Sequence, residues 1–323
     1  MDDNVLIQTE NLHVRFPRQN GDIYAARSLN LEVKEGETLA LVGESGSGKT
    51  STGHALVRLL RPESGTIRFE GEDVTRIRGK RLARYHGLAQ LIFQDPFASL
   101  NPFHTVSYHL QRPLRRLGGL SPKTARKRCQ ELLAQVGLTP SATFESKYPH
   151  ELSGGQRQRV AIARSLAADP RFVVCDEPIS MLDVSLRAGI LQLLESLQAS
   201  QGLSYLYITH DLASARYLSQ RIAVMYGGSL VEIAEAEELI QAPAHPYTQL
   251  LLQASVSPPG QEIARLPEKE PGAPDLGITR RGCPFAPRCL YALPKCAKEM
   301  PQLIPVAPGH ESACFLLSPS QGN

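Results

Sequence analysis

The octet Gly43-Glu44-Ser45-Gly46-Ser47-Gly48-Lys49-Thr50, which follows the apolar run Thr38–Val42 directly, constrains this chain more than any other feature. Its glycines let the backbone curl until successive N–H groups point inward. A helix beginning near Gly48 turns the favourable end of its dipole to the same place. Such a concavity suits phosphate oxygens. Lys49 then reaches the β- and γ-phosphates of a nucleotide and the Thr50 hydroxyl coordinates Mg²⁺, with Ser51 in the same first turn. A Gly/Ser turn with an incidental lysine would not need the strand before it and the helix after it.

Strand, loop and helix in that order belong to a parallel α/β sheet. Segments 5–7, 12–16 and 29–33 read as earlier strands, and 172–175 and 205–209 as later ones. Between them, residues about 95–165 are polar and helix-favouring. Ala125, Cys129, Leu132, Leu133 and Val136 recur at helical spacing before Gly137, a C-cap. Leu186, Ile190, Leu194 and Leu197 mark another amphipathic helix. The expectation is one α/β core interrupted by a helical insert, without an internal repeat and therefore without a second copy of the domain. Fourteen of the 24 prolines lie in the last 83 residues, which predicts a loop-rich appendage rather than more sheet, with 257–282 as a linker.

The run Phe172-Val173-Val174-Cys175-Asp176-Glu177 is an apolar strand ending in two carboxylates. Asp176 suits Mg²⁺, and Glu177 can polarise a water attacking the γ-phosphate. Adjacent carboxylates also occur as a solvated strand edge; the phosphate loop upstream favours chemistry.

Hydrophobic residues make up 42% of the chain and charged residues 21%, enough for a packed core. The net charge of +3 is small and unblocked, which speaks against nucleic acid as a partner. No stretch approaches the roughly 18–20 apolar residues that span a bilayer. The acidic opening Met1-Asp2-Asp3-Asn4 lacks the features of a signal peptide. A cytosolic chain is expected, any membrane path being supplied by other polypeptides.

A second helix N-terminus for an anion follows from Leu152-Ser153-Gly154-Gly155-Gln156, which leads into Arg157-Gln158-Arg159-Val160-Ala161-Ile162-Ala163-Arg164. A serine N-cap before an ordinary helix accounts for Ser153 alone. With the flanking Tyr148-Pro149 and Ala168-Asp169-Pro170, this stretch resembles the signature of the ABC ATPase family, and the resemblance spans about residues 4–235. It implies a P-loop NTPase fold: a RecA-like parallel sheet core, an antiparallel β subdomain and a helical insert, within a nucleotide-binding domain over 1–240. It also implies head-to-tail pairing, in which Ser153, Gly154, Gly155 and Gln156 meet the ATP held by a partner domain.

Other roles follow from the same resemblance. Gln94, in Ile92-Phe93-Gln94-Asp95-Pro96, resembles the Q-loop glutamine that senses Mg²⁺ and the attacking water. Asp183, in Ser180-Met181-Leu182-Asp183, resembles the D-loop aspartate at the dimer interface. His210 resembles the switch histidine that bonds the γ-phosphate. Phe16 stands where the family places an aromatic under adenine, with Tyr24 competing for that place and an ordinary core aromatic at a strand end as the other reading of Phe16. The implied catalytic set is Glu177, His210, Lys49 and Gln94, and the implied Mg²⁺ set is Thr50, Gln94 and Asp176. Ile179 and Met181 depart from the smaller or hydroxyl-bearing residues common near the D-loop.

Three further segments resemble the oligopeptide/dipeptide/nickel importer branch: Phe93-Gln94-Asp95-Pro96-Phe97-Ala98-Ser99-Leu100-Asn101-Pro102, His245-Pro246-Tyr247-Thr248, and Gly282-Cys283-Pro284-Phe285-Ala286-Pro287-Arg288-Cys289. That branch implies two transmembrane permease subunits, a second ABC ATPase (this chain or a paralogue) and an extracytoplasmic substrate-binding protein. The chain would lie at the cytoplasmic face of the inner membrane, with Phe97, Leu100 and Phe103 either near a permease helix or in the ordinary core. Peptides are the expected cargo; nickel chelates, glutathione and sugars are alternatives, as is a soluble ABC ATPase driving a process other than transport.

Of six cysteines, Cys129 and Cys175 lie singly in the body and read as small buried hydrophobes. Cys283, Cys289, Cys296 and Cys314 crowd into the segment 241–323 with spacing C-x₅-C-x₆-C-x₁₇-C. Four thiolates suit a [4Fe–4S] cluster or a tetrahedral Zn²⁺, and metal-free thiols or disulfides are the third reading. The resemblance to the importer branch implies the iron–sulfur cluster, as a structural staple.

Overall fold

The computed structural model describes residues 4–17, 21–256 and 281–317. The chain opens with β1 (Val5–Phe16), β2 (Ile23–Lys34) and β3 (Thr38–Val42), then α1 (Lys49–Leu56), β4 (Ser64–Phe69) and β5 (Glu72–Asp73). β1 is one strand where the sequence suggests two. Its interruption is a bulge: Asn11 takes a φ of 47°, and the register against β2 shifts between Thr9 and Leu12. β2 likewise begins well before the expected 29–33, passing through Ser28 at φ 47°. Strands β2, β1, β4 and β5, in that order, form a small antiparallel sheet.

Next come α2 (Gly79–Leu88) and β6 (Ala89–Ile92). From Pro96 to Leu166 the regular elements are helical: α3 (Pro96–Ser99), α4 (Val106–Arg116), α5 (Pro122–Gln135), α6 (Ser141–Glu145) and α7 (Gly154–Leu166), with one 3₁₀ turn at Pro149–Glu151. The α/β alternation then resumes with β7 (Phe172–Asp176), α8 (Val184–Gln201), β8 (Ser204–Thr209), α9 (Leu212–Leu218), β9 (Arg221–Tyr226), β10 (Ser229–Glu235), α10 (Ala236–Gln241) and α11 (Pro246–Val256). Two last strands, β11 (Ile304–Ala307) and β12 (His310–Ser312), close the described chain.

The large sheet runs β11-β12-β10-β9-β3-β8-β7-β6. Its neighbours from β9 to β6 are parallel, whereas β10, β12 and β11 join antiparallel at one edge. The tail therefore adds strands to the main sheet, which corrects the expectation of loop alone there. The proline bias is real, but three residues of β12 suffice to pair with β10. The linker expected over 257–282 lies, except for its last two residues, outside the described residues.

The central strands are buried on both faces, as sheets covered on both sides require. Alternate residues face two different apolar layers. Ala40, Val42, Val173, Cys175, Tyr205 and Tyr207 face the layer built with α5, α7, α8 and α9. Leu39, Leu41, Phe172, Val174, Leu206 and Ile208 face the layer shared with the small sheet and α1. Each fully buried Leu or Ile in these layers contributes about 1.5–3 kcal/mol. α1 packs so closely that a Cβ on Gly53 would come within 2.7 Å of Val174 and 2.8 Å of Ile208. Cys129 and Cys175 are fully buried, and burial raises both thiols, Cys129 to about 12. No helix among the described residues is long and apolar enough to cross a membrane.

Candidate functional site

In an open parallel sheet the loops beyond the carboxyl ends of neighbouring strands face one crevice. β3, β7, β8 and β6 end here at Val42, Asp176, Thr209 and Ile92, which delivers the phosphate loop, the paired acids, His210 and Gln94 to one region. Two loop glycines are obligatory on steric grounds. A Cβ on Gly43 (φ 153°) would sit 2.1 Å from the Met225 carbonyl oxygen, and one on Gly48 (φ 104°) 1.8 Å from that of Ala25. Gly48 is the N-cap of α1, so the helix starts with Lys49.

Lys49 is buried, and its ammonium donates to the carbonyls of Gly43 at 2.7 Å and Glu44 at 2.9 Å. Burial lowers its pKa, opposed by the carboxylates of Glu177, Asp176 and Glu44. The Thr50 hydroxyl donates to Asp176 Oδ1 at 3.1 Å. Burial raises the Asp176 carboxyl, while the bond from Thr50 and the nearby His54 lower it. His54 Nε2 stands 3.9 Å from Asp176 Oδ2, a neighbour that no sequence motif announces. A hydroxyl and a carboxylate in contact offer the hard oxygen donors that Mg²⁺ takes.

Glu177 has a φ of 44°, a strained setting for a residue with a side chain. Its amide bonds the Ile208 carbonyl at 2.9 Å, tying the turn to β8. Gln94 Nε2 donates to Glu177 Oε2 at 2.9 Å, and His210 Nδ1 lies 3.3 Å from Oε1. Residues 94 and 210, distant in sequence, thus hold the carboxylate of residue 177. Beside them opens a cleft of about 930 Å³, lined by Thr50, His54, Gln94, His109, Arg164 and Asp176 among others.

Ser153 accepts from the Gln156 amide at 3.3 Å and the Gln156 side chain reaches back to the Ser153 amide at 3.1 Å, a capping box that starts α7. Gly154 and Gly155 follow in its first turn, against Leu182 and Leu186. Asp183 is the N-cap residue of α8 but its side chain makes no capping bond, and the nearby Met181 and Val184 are 57% and 80% exposed. Ile179 is buried. Phe16, at the end of β1, is half-buried and packs against the layer beneath the small sheet. Tyr24 instead meets His13 edge-on at 5.5 Å and carries Arg27 over its ring. Phe97 and Phe103 are exposed, whereas Leu100 is fully buried and belongs to the core. The Arg157 guanidinium lies 4.0 Å from the Phe97 ring centre, and Arg164 donates to the Ser99 carbonyl, so α3 and α7 are joined.

The four terminal cysteines, all free thiols, line one small apolar cavity with His245, Phe285 and Phe315. Cys283 N–H donates to the Cys296 carbonyl at 2.8 Å, and burial pushes the Cys283 thiol up to about 11. Among the described residues, however, no group of three or more His, Cys, Asp or Glu side chains is placed to hold a metal ion.

Comparison with known proteins shows the family and the fold. The pattern of the family described as "ABC transporter" matches residues 26–180, and that of the "Oligopeptide/dipeptide transporter, C-terminal region" matches residues 231–296. The oligopeptide transport ATP-binding protein AppF of Bacillus subtilis (strain 168) is 40% identical over 306 residues, 94% of this chain and 92% of AppF. The chain belongs to the ABC transporter ATP-binding family, in its oligopeptide/dipeptide group. Among solved structures, a dimeric ATP-binding cassette in a post-hydrolysis state bound to ADP and Pi is 30% identical with a TM-score of 0.65, covering 72% of this chain and 99% of that one. CbiO1 from Clostridium perfringens, part of the ABC transporter complex cbiONQ, is 26% identical with a TM-score of 0.65, over 74% and 92% of the two chains. This ABC subunit is thus an ATP-hydrolysing ATPase on the P-loop fold with a mixed α/β sheet.

Two contacts at the loop escape sequence reasoning. Tyr247 and Arg288, in the segments that marked the importer branch, reach Glu44 inside the phosphate loop. The motifs were visible; their destination was not.

Proposed function

We propose that this ABC ATPase energises peptide uptake through a membrane permease, with Glu177 as the group that polarises the attacking water. The observation that carries the catalytic part is the Glu177 carboxylate held between Gln94 and His210, beside the Thr50–Asp176 pair. A carboxylate held from both sides needs little reorganisation to orient a water. The backbone of 43–50 and Lys49 bind the β- and γ-phosphates, with Ser51 in the same turn. Thr50, Asp176 and Gln94 would hold Mg²⁺, which would supply neutralisation of the charge that develops on the phosphates. His210 links the γ-phosphate to Glu177, and Phe16 stacks on adenine.

Ser153, Gly154, Gly155, Gln156 and Asp183 complete the nucleotide site of a partner ATPase, either a second copy or a paralogue. The capped start of α7 and the exposed apolar Met181 and Val184 support this reading. Exposed Phe97 and Phe103, on the segment after Gln94, support docking of two permease subunits beside the cleft. Membership of the group supports a peripheral place at the cytoplasmic membrane face and an external binding protein. Peptide as cargo rests on the named activity of AppF and the matched C-terminal region. Residues 1–240 are read as the nucleotide-binding domain, with a helical subdomain over about 95–165, and 241–323 as a small irregular Cys-rich appendage.

The four thiols are read as ligands of a [4Fe–4S] cluster. What supports it is that all four line one apolar cavity; among the described residues they do not form a group that holds a metal ion, and a four-thiolate set suits zinc as well. Iron and acid-labile sulfide in anaerobically purified protein, lost in Cys289→Ser, are expected; zinc, or metal-free thiols, would overturn this. For the main reading, the tagged chain is purified from gently solubilised membranes of its own host, and partners are identified by mass spectrometry. Two multi-spanning permeases, with labelled-peptide uptake lost on deletion, are expected. Recovery only with soluble enzymes or nucleoprotein would overturn the transport reading.

A further inference from the structure

Glu44 places a carboxylate inside a loop built to receive a polyanion, which is electrostatically the wrong sign. The tail corrects it. Arg288 Nη1 donates to Glu44 Oε2 at 2.8 Å and to the Tyr226 hydroxyl oxygen at 3.1 Å. The Glu44 amide donates to the Tyr247 hydroxyl at 2.9 Å, and the Glu44 carbonyl accepts from Lys49 Nζ at 2.9 Å and from the Ser47 amide at 3.1 Å. One residue is therefore held by its side chain and amide from the tail, while its carbonyl aims the phosphate-binding lysine. The tail residues are themselves fixed. The rings of Tyr226, Tyr247 and Phe285 pack with centres 4.5, 5.3 and 5.5 Å apart, Tyr247 is fully buried, and the Arg288 guanidinium lies over the Tyr226 and Phe285 rings.

We propose that Arg288, assisted by Tyr247, is a positioning residue of the nucleotide site, which neutralises Glu44 and holds the phosphate loop in its receptive shape. This rests on the assignment of 43–50 to ATP. The guanidinium touches neither the reacting atoms nor Lys49; it acts through Glu44. The C-terminal appendage thereby becomes part of the ATP-binding machinery.

The electrostatic account fixes the signs of a mutant cycle on the full-length chain, read as the Kd for MgATP by calorimetry together with kcat and KM. One uncompensated charge near the loop is worth about a tenfold change in affinity, or about 1.4 kcal/mol. Arg288→Gln is expected to raise Kd and KM about tenfold with kcat at saturation little changed. Glu44→Gln alone leaves Arg288 as net positive charge and binds no more weakly than wild type. The double variant Glu44→Gln/Arg288→Gln returns to within about twofold of wild type, and Arg288→Lys, which keeps the charge, loses little. Tyr247→Phe, which keeps the ring packing, weakens binding by a smaller factor.

Wild-type affinity in Arg288→Gln would overturn the proposal. So would an undiminished loss in the double variant, because the arginine would then be serving only the folding of the tail. Wild-type protein that bound no MgATP would instead overturn the ATP assignment beneath it.

Discussion

The side chain of Glu232 is fully buried in β10, where it accepts from the Ala244 amide at 2.7 Å, the His245 amide at 3.0 Å and His310 Nε2 at 2.7 Å. His310 belongs to β12 and is itself 1% exposed, with Nδ1 3.8 Å from Glu238. One carboxylate thus ties the tail strand and the loop before α11 to the main sheet. Replacing His310 by Ala removes one partner and leaves the carboxylate with two amides in a cavity. Breaking a buried pair from one side costs about 3–5 kcal/mol, because the remaining group stays desolvated. The loss should fall on the docking of the tail, since the parallel strands keep all their contacts. Hydrogen exchange followed by mass spectrometry separates the two. At 1.36 kcal/mol per decade, exchange at the β10–β12 amides should quicken by about two to three and a half decades, with β3, β7 and β8 unchanged. Unaltered protection of Glu311 and Ser312 would refute the reasoning. So would equal loss throughout the sheet, which would make the tail one cooperative unit with the core.

Glu177→Gln keeps the bond to Gln94 but cannot take up a proton; kcat for ATP should fall about 10²–10⁴-fold with the Kd for MgATP within a few-fold, measured by phosphate release and calorimetry. His109, in α4, is buried with Nε2 3.0 Å from the Asn101 carbonyl oxygen, and its pKa is lowered, first by burial and further by Arg164 and His104, while the Asn101 contact raises it. The unfolded chain therefore binds that proton first. The histidine's share of stability is complete above about pH 6.5 and is lost as pH falls below it, down to the folded pKa. A denaturation series from pH 7.5 to 5 should show this slope, and His109→Gln should reduce it by up to about one proton's worth; an unchanged slope would exclude His109 as its source.

Legibility followed the range of the interactions involved. The loop 43–50, the acids at 176–177 and the capped helix start at 153–156 are contiguous, and their physics is local: glycine backbone freedom, a strand that ends, a helix N-terminus. They could be read without a partner in space. Where local signals are weak the reading failed in detail. The bulge at Asn11 made one strand look like two, and β12 is too short to show a period of two. For Leu100, Phe97 and Phe103 the sequence left docking surface and core both open; only tertiary packing put Leu100 in the core and left the two phenylalanines exposed.

By itself, then, the sequence determined the phosphate-binding chemistry, the order of α/β units and, through its resemblance, the family. Tertiary structure alone decided which distant groups share one carboxylate, as Gln94 and His210 do at Glu177. It alone brought Arg288 to Glu44 across a separation of 244 residues. No local preference encodes such a contact: it exists because the sheet carries strand ends to one edge and the tail pairs onto β10, geometry fixed only when the two apolar layers close.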